Sequence, residues 1–308
     1  MILPHQTFLL EFFLNEYFSI DLYSYLIISL KRNNLFKCTF WLLMIINNFV
    51  NITKKRPKLP LLFCCDHASN LIPNQYKKLG LKDKILKSHI AYDIGAQTLT
   101  KKLSSIFKTN AVLAKYSRLF IDLNRDKNHI NLITEKSDGV EIPGNKNLSK
   151  SERLHRINNF HKTYHDELKL ILKNMDKLFL CKTSLICIHS FTASLQNKKK
   201  RPWEIGLLYR DDKSLYKPIS QYLDSNSNYK IGKNKPYSGY EDVNYTMTYH
   251  GELDKRPFIS IEIRNDILSK NNSSKMEELS IKISQAIYYS QITLGAPYNN
   301  FAKKLNLS

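Results

Sequence analysis

The chain has 308 residues, 43% of them hydrophobic, enough to bury a full core in one large domain or two smaller ones. Its 47 Lys+Arg against 27 Asp+Glu give a formal charge of +20, but the lysines are spread along the whole chain beside Asn and Ile. No basic stripe, zinc-finger spacing or aromatic–basic ribonucleoprotein pattern accompanies the charge, so no nucleic-acid partner is expected.

Residues 1–55 read as a hydrophobic N-terminal extension, rich in Phe, Leu, Ile and Tyr. The apolar run 38–50 is broken by Asn47 and Asn48, short of the roughly 18–20 apolar residues of a spanning helix. It has neither a basic start nor a small-residue cleavage site, which argues against a signal peptide. Three readings stay open: an over-long gene model with Met44 as the true start, a helical extension packed on the body, and an interfacial helix. Membrane association is expected only through this segment. Residues 54–60 are a basic, proline-bearing linker, and 56–308 form the body.

Within the body, 61–65 is a strand, and 82–107 holds one or two helices with His89, Asp93 and Gly95-Ala96. Segments 111–116 and 119–122 are extended, and 134–148 is a loop. Residues 148–178 are helical, started by a capping box of Ser149 and Glu152. Strands at 184–189 and 203–209, a helix at 215–223, a strand at 258–263 and a helix at 275–294 complete the order. Alternating strands and helices predict an α/β fold with a mainly parallel sheet covered on both faces. The five cysteines, Cys38, Cys64, Cys65, Cys181 and Cys187, include no CxxC, so no structural zinc site is implied and a reducing cytoplasm is expected.

Four apolar runs end in chemically capable residues: 61–65 in Asp66-His67, 119–121 in Asp122-Leu123-Asn124-Arg125, 185–188 in His189-Ser190, and 258–261 in Glu262-Ile263-Arg264. Ligands of open α/β sheets sit at the carboxyl ends of strands, so these groups converge on one crevice. Two histidines, a carboxylate and several guanidinium groups suit hydrolysis of an amide in a substrate that also carries carboxylates. A blander role stands beside each. His67 and His189 could be hydrogen-bonded structural residues, and Glu262 could form a salt bridge with Arg264. Arg118, Asn124 and Arg125 could be tied to Asp122 or Asp126. Asn145 could serve its Pro-Gly-Asn turn alone, and His250 could be a surface-turn residue. His161 and His165, four apart on a helix, are expected to be structural or to support a site residue from behind, not to form a zinc site, because no HExxH glutamate accompanies them.

The motifs together resemble the N-formylglutamate amidohydrolase family. The similar stretches are 65–73, 89–96, 116–126, 142–149, Tyr164-His165, 189–192, 201–209, Tyr249-His250-Gly251 and 261–268. They occur in order and leave out residues 1–55, so 56–308 is the expected amidohydrolase domain. The resemblance implies a three-layer α/β/α sandwich, phosphorylase/hydrolase-like and related to zinc carboxypeptidases, with one zinc ion at the sheet's C-terminal edge. It implies His67 and His189 as metal ligands, Glu262 as general base and acid, and Asn124-Arg125 as binders of a substrate carboxylate. Where the carboxypeptidase pattern is HxxE, this chain has Asn70, so the third ligand is open, with Asp93 ahead of Asp66. Arg118 and His250 join Glu262 as catalytic candidates, and Arg264 and Asn145 join the substrate-binding ones. The implied reaction releases formate and L-glutamate from N-formyl-L-glutamate, the last step of one histidine-degradation route. The alternatives are a hydrolase of another N-acyl amino acid or small peptide, and a non-catalytic protein binding acidic ligands.

Overall fold

Central strands of a sheet covered on both faces are apolar throughout rather than alternating, and this chain follows that rule. The computed structural model describes residues 50–53, 57–195, 199–268 and 273–295. Strand β1 is Val50–Ile52, β2 Leu61–Cys65, β3 Ala111–Ala114, β4 Lys136–Ser137, β5 Val140–Glu141, β6 Ser184–Phe191, β7 Ile205–Leu208, β8 Ile231–Lys233 and β9 Phe258–Arg264. Every residue of β2, β3, β7 and β9 is buried. Seven strands make one sheet in the order β1-β3-β2-β6-β9-β7-β8, while β4 and β5 pair separately. The β2–β3, β2–β6, β6–β9 and β7–β8 pairs are parallel, and β1–β3 and β7–β9 are antiparallel.

The helices are α1 Asp83–Leu86, α2 Ala96–Ile106, α3 Lys150–Arg156, α4 Lys162–Phe179, α5 Tyr216–Asn226 and α6 Ser273–Thr293. Helices α2, α5 and α6 pack together over the sheet. A π turn, Met247–Glu252, packs on β6 and β9 and meets α4 through its histidine. The expected helix over 148–178 is observed as α3, a π turn at Ile157–His161, and α4. Its predicted start is present: Ser149 Oγ accepts from the Glu152 backbone N–H at 3.1 Å.

Two expectations are corrected. The sheet begins at Val50, whose strand pairs antiparallel with β3, so the last residues assigned to the extension belong to the body. Residues 1–49 and 54–56 lie outside the described residues, and with them most of that extension and part of the linker. Residues 119–122 are not a strand: 119–120 lie in a turn and 121–122 in irregular backbone. The first two carbonyls are taken by side chains in place of a ladder: Asn145 donates to Leu119 (2.8 Å) and Arg156 to Phe120 (3.1 Å). No helix among the described residues is long and apolar enough to cross a membrane.

Candidate active site

The parallel register sets the site. Cys64 of β2 lies opposite Cys187 of β6, so the residues just past β2 meet His189, and His189 is paired with Glu262 of β9. Asp93 comes from the turn before α2, docked when its N–H donates to the His67 carbonyl at 3.0 Å. Gly95 closes that turn at φ 82°; a Cβ there would lie 2.3 Å from Leu268 Cβ, so only glycine fits.

His67, Asp93 and His189 are brought together, with their potential ligand atoms within 4.8 Å of one another. His67 Nδ1 and His189 Nδ1 lie 3.4 Å and 2.9 Å from Asp93 Oδ2. Four-coordinate zinc with ligands at about 2.0–2.1 Å separates its donors by about 3.3 Å, and the two His–Asp93 separations lie near that value, so the set could hold such an ion. The remaining ring nitrogens meet further carboxylates. His67 Nε2 is 2.7 Å from Asp122 Oδ1, and His189 Nε2 is 3.3 Å from Asp66 Oδ2 without hydrogen-bond alignment. Carboxylates placed this way fix ring orientation and raise ligand basicity. Of the other candidates for the third ligand, Asp66 also accepts the Tyr164 hydroxyl at 2.6 Å, and Asn70 is turned away, donating to the Leu86 carbonyl.

The electrostatics agree with a cation-seeking pocket. Burial would raise the Asp93 carboxyl, but the two facing imidazoles hold it well below the usual carboxylate range. Burial and Arg118 oppose a proton on His67, yet Asp122 and Asp93 raise it overall. His189 rises against its own burial because Asp66 and Asp93 face it. Burial pushes Glu262 up to about 7, partly offset by His189.

A pocket of about 190 Å³ opens onto these groups, with Arg118, Asn124, Arg125, Tyr237 and Asn244 among its walls. Arg118 donates to Asp122 (2.8 Å) and lies 3.7 Å from Asp93, the ion pair expected as its blander role, but it still lines the pocket. Arg125 Nη1 donates to the Val243 carbonyl (2.8 Å) and, at 3.5 Å, to the Asn124 carbonyl, while its Nε has no partner. Asn124 Oδ1 accepts from the Thr246 N–H, fixing the 124–125 turn against 243–246.

Three candidates are not brought to this pocket. Arg264 turns to the sheet's edge, where Asp266, Glu204 and the carbonyls of 201–203 take its guanidinium. Asn145 is buried in its turn, donating to Leu119 and Thr134 and accepting from Arg156. His250 is wholly buried beside His165, and desolvation lowers it to about 3. Sequence reasoning set Asp122 aside as an arginine partner and missed its contact with His67. Tyr237 it missed altogether, since nothing in its loop marks it.

The family model for N-formylglutamate amidohydrolase matches residues 59–269. No curated protein matches the chain. A gene product of Agrobacterium tumefaciens, Atu2144, is similar in structure, with TM-score 0.75 and 28% identity over 80% of this chain and 96% of that one. An N-formylglutamate amidohydrolase from Ralstonia eutropha JMP134 shares the fold, with TM-score 0.61 and 17% identity over 79% of this chain and 98% of that one.

Proposed function

The chain belongs to the N-formylglutamate amidohydrolase family, and on that premise we propose that it uses a metal to hydrolyse N-formyl-L-glutamate, or a closely similar N-acyl amino acid. The observation that carries this reading is the sharing of one small pocket by the His67/Asp93/His189 set, a buried Glu262 and the Arg118 and Arg125 guanidinium groups. His67, Asp93 and His189 would hold one zinc ion, which when bound supplies Lewis-acid polarisation and acidifies water.

Glu262 is the proton carrier. Desolvation keeps its affinity for a proton near neutrality, so it can accept one from the attacking water and pass it to the departing amine. Water adds to the formyl carbon, the C–N bond breaks, and formate and L-glutamate leave. Arg118, held between Asp93 and Asp122, presents a fixed positive charge to the oxygen on which charge develops. Arg125 and Asn124 take the substrate α-carboxylate, a role suited to a guanidinium with an unused N–H. His250, Arg264 and Asn145 take structural roles. Buried thiols at Cys64, Cys65 and Cys187 fit a reducing cytoplasm, and a place in histidine degradation follows from the substrate.

The test is metal content of the purified full-length chain together with formate release from N-formyl-L-glutamate before and after chelation. Near-stoichiometric zinc with chelator-sensitive turnover supports the reading. No metal uptake and no turnover after zinc is supplied overturns it.

A further inference from the structure

The loop after β8 is seated on the sheet at the pocket's edge. Gly206 of β7 and Gly232 of β8 are paired, and Gly206 is also paired with Glu262. Neither glycine has a side chain, and the Lys235 carbonyl fills the space: a Cβ at Gly206 would lie 2.3 Å from it, and one at Gly232 2.8 Å. Asn234 ties the loop down by accepting from the Tyr209 and Gly239 N–H groups. The chain therefore passes close beside Glu262, and Tyr237 enters the pocket wall.

The other polar wall groups are largely committed. Ser190 gives its hydroxyl proton to the Ile94 carbonyl (2.9 Å), and Asn244 donates to the Ser238 carbonyl (2.8 Å). Tyr237 differs. Its oxygen accepts from Arg201 Nη1 at 3.3 Å, and that guanidinium also lies over the ring, 5.1 Å from its centroid. With the oxygen accepting, the O–H proton is left to donate elsewhere, and no acceptor takes it among the described residues. Burial and the nearby Glu262 raise the phenol, so it stays protonated at neutral pH.

Resting on the proposed function, we infer that Tyr237, backed by Arg201, is a specificity-determining residue whose hydroxyl donates to the side-chain carboxylate of the substrate. Arg125 and Asn124 account for one carboxylate of an N-acyl glutamate, and the second needs a donor. The Tyr237 hydroxyl is neutral, so it adds no repulsion toward Glu262, and Arg201 lends positive charge from behind the ring.

The experiment compares Tyr237→Phe with the wild type on N-formyl-L-glutamate and N-formyl-L-norvaline, which carries a methyl group in place of the distal carboxylate. Hydrogen bonds to a charged group carry about 1.5–3 kcal/mol, so kcat/KM for the glutamate substrate should fall about 10- to 150-fold, mostly through KM. The norvaline substrate should change less than twofold. Equal losses on both substrates, or no loss on either, overturn the inference. Calorimetric binding of L-glutamate and L-norvaline to the metal-loaded protein gives a readout that needs no turnover. Loss of glutamate affinity alone in Tyr237→Phe supports the inference even if formate release fails. A wild type that binds the two alike overturns it.

Discussion

Glu262→Gln should slow turnover strongly and at the same time stabilise the metal-free fold. The side chain is 6% exposed, and its pKa moves from 4.5 to about 7 because burial penalises the charge. The folded-state value is raised, so below about 4.5 the group costs nothing; as pH climbs from 4.5 to 7 the unfolded chain releases a proton that the folded chain retains. Above 7 the accumulated cost is about 3 kcal/mol, from about 2.5 units at 1.36 kcal/mol each. Glutamine keeps the shape without the charge, so in chelated protein at pH 8 the variant should unfold about 6–12 °C above wild type. At pH 5 the gap shrinks to about 1 kcal/mol. In metal-loaded protein the same change removes the proton carrier, and kcat should fall about 10²- to 10⁴-fold with zinc content unchanged. A bound dication lowers the Glu262 pKa, so the acid limb of kcat/KM in the wild type lies at or below about 7 and is lost in the variant. Differential scanning calorimetry at both pH values, paired with formate release, tests both halves. A variant that is less stable at pH 8, or that keeps kcat within tenfold, refutes the picture of a desolvated proton carrier.

Asp122→Asn should weaken zinc binding about 10- to 100-fold, because it removes the carboxylate 2.7 Å from His67 Nε2; competition with a fluorescent chelator measures this. His250 carries a depressed pKa of about 3, so the stability of the neutral form is present above about 6.5 and is lost as pH falls toward 3. Between pH 7 and 5 that group alone removes about 2 kcal/mol, and urea unfolding of His250→Gln should show a pH dependence shallower by that amount. Arg256 is 1% exposed and bonded to Asp176, Asp254 and the carbonyls of His250 and Thr183, so Arg256→Met should cost about 3–5 kcal/mol in urea unfolding while Glu262 chemistry is retained in the folded fraction.

What the sequence revealed of the site depended on where each residue's position is decided. His67, His189 and Glu262 follow or end buried apolar runs, and in a parallel sheet such runs all point their carboxyl ends one way. Their convergence was therefore legible without knowing strand order. Asp93 was legible only as a candidate, because its place depends on a turn locked by a backbone bond to His67 and on the left-handed Gly95. Arg264 shares a strand face with Glu262 but sits two residues on, past the start of β7, where free carbonyls and Glu204 capture it. Alternation specifies the face and not the neighbours that compete for a guanidinium. Segment 119–122 was read as a strand because apolar content alone cannot reveal that Asn145 and Arg156 satisfy the Leu119 and Phe120 carbonyls.

Asp122 and Tyr237 mark the other limit. Asp122 was read only as a possible partner of the nearby arginines, and its pair with Arg118 exists, but one oxygen serves the arginine and the other serves His67. A carboxylate has two acceptors, so finding one partner in the sequence never excludes a second. Tyr237 reaches the pocket only because two glycines on separate strands leave room for a carbonyl of its loop. That placement is a property of the assembled sheet, since Gly206 and Gly232 become neighbours only when β7 and β8 pair. Strand-end chemistry can thus be read from the chain, whereas the wall that selects the substrate forms only once the strands are paired.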